Sequence, residues 1–177
     1  ALARSLAVQV DGDLHRKLTS PDQMGSGDHL KALAPMVAFH RANPMLFYVY
    51  TAVLKDGQIY TVLGTDQVMK NPRSEDPPDP IMTPYAGKDP EFLLALQEQR
   101  VLTNAEPVQD DQGTFMSGFA PFYDSEGKFA GVVGIDLGLS DLLARLNVIR
   151  SAVYVSTGGV AVLSLAEDEN QTDDSAS

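Results

Sequence analysis

Residues 46–63 constrain this chain more than any other stretch. The run from Leu46 to Leu54 is aromatic and β-branched, Asp56-Gly57 is a type I′ turn signal, and Gln58 to Leu63 carries the returning strand. Strands joined by so tight a turn pair antiparallel, because a parallel pair needs a crossover of a dozen residues or more. The pattern recurs later. Glu106 to Gln109 reads as a short strand, Asp110 to Gly113 as a turn, Thr114 to Tyr123 as a strand, Asp124 to Gly127 as a turn and Lys128 to Leu137 as a strand. The expected class is therefore α+β with an antiparallel sheet, not a doubly wound parallel one.

Helices flank these strands. Leu2, Leu6, Val10, Leu14 and Leu18 recur every four positions, so residues 1–18 are expected to form one long helix with an apolar stripe, which Gly12 weakens without breaking and Ser20-Pro21 ends. That stripe can pack on its own sheet or on a second copy. A second helix is expected from Ser26–Asp28 to about Ala42, stopped by Asn43-Pro44, with a kink or break at Pro35. Asp89-Pro90-Glu91 supplies an N-cap, a first-turn proline and a first-turn acid for a helix through about Arg100, with Phe92, Leu93 and Leu96 inward. Ser140 can cap a last helix carrying Leu142, Leu143, Leu146 and Ile149 on one side.

Between Thr65 and Pro90 lie six of the 11 prolines (Pro72, Pro77, Pro78, Pro80, Pro84 and Pro90), so no regular ladder can persist there. Irregular stretches of this length inside compact domains often cover a binding site.

Charge removes some functions. The chain has 177 residues and a net charge of −11, and a nucleic-acid footprint needs clustered Lys and Arg. Glu167, Asp168, Glu169, Asp173 and Asp174 concentrate acid at the end, leaving 19 acidic against 13 basic residues in the body. With no cysteine there is no disulfide, thiolate metal site or cysteine nucleophile. The chain opens at Ala1 without methionine or signal peptide and reads as a piece of something longer. Residues 151–166 carry no charge. They are either the start of a transmembrane helix cut short or an extra strand or helix on the domain. The acidic end, unlike a Lys/Arg cytoplasmic flank, favours a chain end or altered terminus over a natural crossing.

Enzyme signatures are absent: no P-loop, no nucleophile elbow and no glycine-rich dinucleotide turn. His15, His29 and His40 lack the spacing that would put two metal ligands on one helical face, and they read as exposed or half-buried helix residues. No metal and no cofactor is expected. Asp136 closes a strand of small and apolar residues, on the face of Ala130, Val132 and Gly134. Small neighbours leave room, and a carboxylate among them needs a partner. The plainer alternative places it at the strand end in water or accepting from backbone N–H groups of the next turn. Tyr48, Tyr50 and Tyr60 offer aromatic walls with hydroxyl tips on the hairpin, Tyr48 and Tyr50 on one face and Phe47, Val49 and Thr51 on the other; core packing is the alternative for them. Tyr85 lies in the proline-rich loop near Lys70, Arg73 and Lys88, cations that could meet a ligand carboxylate.

The segment from Ser117 through Pro121, the turn Asp124-Ser125-Glu126-Gly127, and Gly131-Val132-Val133-Gly134-Ile135-Asp136 resembles the end of extracytoplasmic Cache domains, the PAS-like sensor modules of bacterial receptors. The likeness covers roughly residues 1–150 and fits a single Cache better than the double arrangement. It implies a PAS-like five-stranded antiparallel sheet with a long N-terminal helix on one face and a loop- and helix-covered pocket on the other. It implies three segments: a membrane-proximal helix at 1–19, the sensor domain at 20–150, and an apolar membrane-proximal segment with acidic tail at 151–177. By the same resemblance, Asp136 takes a ligand amino group, Tyr48 and Tyr50 lie on the central strand and Tyr85 sits in the pocket cover; the expected ligand-binding residues are Asp136, Tyr48, Tyr50, Tyr60, Tyr85 and Ser117. The aromatic-Arg-aromatic cluster that holds a carboxylate in amino-acid-binding members is not found, and there is no Trp.

The expected function is the extracytoplasmic, periplasmic part of an inner-membrane receptor of histidine kinase, cyclase or chemoreceptor type. It would bind an amino acid, amine or small carboxylate between the sheet and the 65–100 cover, with a homodimer through the N-terminal helix and no catalysis of its own. The rival is a ligand-free structural or dimerisation module whose pocket is filled by its own side chains. A hydrolase using Asp136 with a metal is a third reading and lacks a second ligand at metal spacing.

Overall fold

In the computed structural model the hairpin forms as β1 (Leu46–Lys55) and β2 (Gln58–Gly64). Asp56 and Gly57 take φ values of 51° and 79°, the paired positive angles of a type I′ turn, which glycine adopts without a Cβ penalty. The structure describes residues 1–70, 77–110 and 113–139, all within the compact unit Ala1–Leu139. The helix expected from Ser140, the uncharged 151–166 stretch, the acidic end and Arg73 lie outside the described residues.

The remaining strands are β3 (Thr83–Pro84), β4 (Leu102–Thr103), β5 (Val108–Asp110), β6 (Gly113–Tyr123) and β7 (Phe129–Gly138). The sheet runs β3-β2-β1-β7-β6-β4, with β5 also on β6, and every pairing is antiparallel. β4 and β5 follow one edge of β6, Leu102 opposite Phe119 and Val108 opposite Phe115, so they form one edge strand interrupted after Asn104. Read this way, the expected five-stranded sheet is present, and the two-residue β3 adds a short outer pairing.

The N-terminal helix is corrected. Residues 1–18 form two short helices, α1 (Leu2–Ala7) and α2 (Gly12–His15), because Asp11 is extended (ψ 101°) and caps a fresh start, its carboxylate accepting from the Leu14 N–H at 2.9 Å. Gly12 has a packing role in the break. A Cβ there would lie 2.4 Å from the Tyr123 carbonyl oxygen, so glycine lets α2 settle on the β6–β7 turn. The apolar stripe survives the break and packs on its own sheet: Leu6, Val10 and Leu18 are buried, with Leu2 and Leu14 at the margin of that core.

The long helix of the fold is α3 (Gly27–Ala42), capped by Ser26, whose hydroxyl accepts from the His29 N–H at 3.2 Å. It continues through Pro35 as one element, where a kink or break is expected from the sequence. The hydrogen bond that proline forfeits belongs to the carbonyl of Lys31, an exposed residue to which water has access.

All three histidines are buried, which corrects the exposed or half-buried reading. His15 Nε2 meets Thr51 Oγ1 at 2.8 Å on β1. His29 and His40, on one side of α3, meet Gln67 Oε1 at 2.9 Å and Thr65 Oγ1 at 2.7 Å. Burial is tolerated because each ring finds a polar partner on the element it packs against.

The sheet is thus covered on both faces. Against α1, α2 and α3 lie Val49, Val62, Ala120, Phe122, Val133 and Ile135. The other face carries Ala52, Ile59, Phe119 and Val132 beneath α4 (Pro90–Glu98), which delivers Phe92, Ala95 and Leu96.

Candidate functional site

The site is built where β1, β7 and β6 lie side by side. Tyr48 stands opposite Asp136 and Tyr50 opposite Gly134 across β1–β7, while Ser117 faces Asp136 and Phe119 faces Gly134 across β6–β7. Directly paired residues project to the same side, so these side chains share the face that α4 covers. The small residues of β7 do leave room, and the Tyr50 ring takes it. A Cβ on Gly134 would lie 2.4 Å from ring carbons of Tyr50. Lying across β7, the ring brings its hydroxyl to donate to Asp136 Oδ1 at 3.3 Å.

Burial first, then the negative charge of Asp136, with Tyr85 and Asp89 adding to it, hold the Tyr50 hydroxyl well above the ordinary phenol range. It therefore stays a proton donor at neutral pH. Asp136 is half-buried, as is Tyr85 above it.

α4 supplies the roof. Its Phe92 is fully buried and stacks on Phe119 with centroids 4.7 Å apart and planes within 10°. The rings of Tyr50 and Tyr85 meet Phe92 edge-on at 5.7 and 5.2 Å. Such aromatic pairs contribute about 0.5–1.5 kcal/mol each beyond burial. Asp89 fixes the start of this helix, its Oδ1 accepting from the Phe92 N–H at 2.9 Å. The same carboxylate accepts from Asn104 Nδ2 at 3.2 and 3.0 Å. Asn104 in turn accepts from the Ser117 N–H at 2.8 Å and donates its own N–H to the Ser117 carbonyl at 3.0 Å.

Of the residues expected from the sequence, Asp136, Tyr50 and Tyr85 come together, and Ser117 joins through its backbone, buried at the neighbouring position of β6. Tyr48 shares the face, but its ring packs toward the end of the sheet, 4.7 Å from Phe47 and 6.4 Å from Phe115. Phe47, expected on the opposite face, also meets Phe115, at 4.8 Å, because the β1–β7 register shifts between Leu46 and Tyr48. Tyr60 is not brought to the site. It pairs with Val53, which belongs to the core under α1–α3, so strand alternation points it away from Asp136. Asp89, Asn104 and Phe92 enter as site residues that the sequence showed only as a cap, an unpatterned position and an apolar helix face.

The arrangement suits a small cationic group: a half-buried carboxylate and a phenol oxygen give directional acceptors beside the aromatic cluster of Tyr50, Tyr85 and Phe92. Among the described residues no group of three His, Cys, Asp or Glu could hold a metal ion. A groove of about 310 Å³ lies elsewhere, beside the hairpin, lined by His15, Leu18, Val53, Met82 and Phe129 among others. None of the site residues borders it.

No protein-family model matches the chain, and no curated protein matches it either. Among solved structures it is similar to the ligand-binding domain of the Campylobacter jejuni chemoreceptor Tlp3 in complex with 4-methylisoleucine, at 16% identity and a TM-score of 0.46 over 78% of this chain and 51% of that one. It is similar to the extracellular domain of mmHK1S-Z2, a presumed histidine kinase, at 18% identity and 0.45 over 78% and 51%. A third is the ligand-binding domain of the Pseudomonas aeruginosa PAO1 amino acid chemoreceptor PctC in complex with GABA, at 18% and 0.41 over 81% and 55%. The chain spans about half the length of these solved structures. At such TM-scores the likeness carries no argument about function, which rests on the site itself.

Proposed function

We propose that this chain is the extracytoplasmic, ligand-sensing part of a membrane-anchored signalling receptor, and that it holds the amino group of a small solute at the Tyr50–Asp136 pair. One observation carries the reading: a half-buried carboxylate, met by a phenol hydroxyl at 3.3 Å, on a sheet face roofed by α4 and its aromatic rings. The resemblance of residues 117–136 to the end of Cache domains supports it. An ammonium donates to the Asp136 carboxylate and to the Tyr50 oxygen, while Tyr85 and Phe92 flank the solute's body.

The output belongs to a part of the receptor outside this chain. Solute uptake shifts α4 and the segment around it, and the change passes to the terminal elements by differential affinity for two states, typically about 1–3 kcal/mol of coupling. The stripe of residues 2–18 is buried on its own sheet, so a homodimer forms across the outward side of α1 and α2, where Val8 is 82% exposed. Among the described residues no helix is long and apolar enough to cross a membrane.

Thermal-shift screening against amino acids, amines and small carboxylates tests the reading. Amine-bearing hits that raise the melting temperature, and that D136A no longer feels, support it. A flat response across the library favours the rival, a structural module whose interior is filled by Phe92 and Tyr50.

A further inference from the structure

We infer that Asp89 and Asn104 form a latch that holds α4, and with it the Phe92 ring, down over the Tyr50–Asp136 pair. They are positioning residues: neither has to touch a solute. The inference rests on the sensor reading for its purpose, but the latch itself can be tested without any solute.

The geometry runs in an unbroken line. Ser117 lies opposite Asp136 on the sheet. Both its backbone groups are taken by Asn104, the N–H by the side-chain oxygen at 2.8 Å and the carbonyl by the Asn104 N–H at 3.0 Å. This double grip fixes the amide where the edge strand is interrupted, and it aims Nδ2 at the Asp89 carboxylate, 3.2 and 3.0 Å away. Asp89 then takes the Phe92 N–H at 2.9 Å. Asp89, Asn104 and Ser117 are 8%, 3% and 8% exposed, so water competes little for these bonds.

A helix whose only task is to cover the sheet could use an apolar contact here. A buried carboxylate–amide pair instead concentrates the hold on one directional contact, which two side chains can make or release as a unit. Phe92, Ala95 and Leu96 of the nine-residue α4 are buried and Leu93 packs partly against the same cluster, so the helix is held by one short apolar face and this polar contact. With the latch made, Phe92 stacks on Phe119 and packs edge-on against Tyr50. With it broken, α4 swings as a short helix and these ring contacts open.

The polarity of the pair gives a sharp test in the full chain. N104D keeps the acceptor for the Ser117 N–H but sets two carboxylates face to face. D89N weakens the pair more mildly by removing the charge from its bonds. The exchanged double variant D89N/N104D restores a donor–acceptor contact across the pair, now given by the side-chain N–H at position 89 to the carboxylate at position 104, and leaves an acceptor for both the Phe92 and the Ser117 N–H. Amide hydrogen exchange read peptide by peptide then gives the answer. The latch predicts that N104D speeds exchange at residues 90–98 by about tenfold or more, that D89N does so to a lesser degree, and that β1 and β7 amides do not change. It further predicts that the exchanged pair returns α4 to within about threefold of the wild type. Equal acceleration in β1, β7 and α4 would show a fold-wide structural role and overturn the inference. So would unchanged α4 exchange, or a double variant no better than N104D. Should N104D fail to fold, D89N and the exchanged pair alone decide between these outcomes. None of them depends on whether the solute is an amine.

Discussion

Asp136 stands where the sheet's alternation and the smallness of its neighbours place it. The sequence allowed either a pocket carboxylate or one paired with water and backbone. The structure puts it on the sheet face beneath α4, where the Tyr50 hydroxyl donates to it at 3.3 Å, and Gly134 makes that contact feasible. A side chain at position 134 must displace the Tyr50 ring, because its Cβ would lie 2.4 Å from ring carbons. G134A is therefore expected to cost about 1–3 kcal/mol of stability, the usual range for overpacking. Urea unfolding of G134A alone and in a Y50A background checks the cause: the penalty should largely vanish when the ring is gone. A penalty of the same size without the ring would place the strain elsewhere.

Among the elements, the hairpin, α3, α4 and the two long strands β6 and β7 were legible, because each carries its own boundary signals: Asp56-Gly57, Ser26 with Asn43, Asp89-Pro90, and Asp124 to Gly127. What the sequence hid depends on distant partners. Residues 1–18 keep a four-residue apolar repeat through a break that the Asp11 cap makes and that Gly12, lying against the distant Tyr123 carbonyl, lets pack. Tyr60 looked equivalent to Tyr48 and Tyr50 until the register with Val53 set its face. Asn104 sits in an interrupted edge strand with no periodicity, so nothing local announces that it links Asp89 to Ser117. The anchoring of α2 by His15 was likewise invisible, and it has a pH consequence. Burial pushes the His15 pKa down to about 4, from about 6.5. Below about pH 6.5 the unfolded chain takes the proton first, so the contribution of neutral His15 is intact above that pH and is lost as pH falls towards 4. The loss approaches about 3 kcal/mol, on the scale of 1.36 kcal/mol per unit. Comparing urea unfolding of wild type and H15Q at several pH values isolates it. The wild type should lose stability more steeply than H15Q between pH 6.5 and 4, and parallel curves would contradict the assignment.

At the scale of the whole molecule, one sheet separates two kinds of cover. On one face α1, α2 and α3 bury a continuous apolar core, with His15, His29 and His40 tied to Thr51, Gln67 and Thr65. On the other, the short α4 rests on an aromatic stack and a polar latch. Under the proposed sensor reading α4 is the part that moves, since moving elements come from the less stable end of a structure and its hold on the sheet is the smaller of the two. The central claim is that the carboxylate of Asp136 recognises an ammonium beneath that roof. It is tested most directly by isothermal titration of wild type and D136N with an amine hit and with the same compound lacking its amino group. Wild type should bind the amine at least about tenfold more tightly than its des-amino analogue, and D136N should lose that preference, as expected for a charge-assisted hydrogen bond. Equal affinities in the wild type, or a preference that survives D136N unchanged, would contradict it.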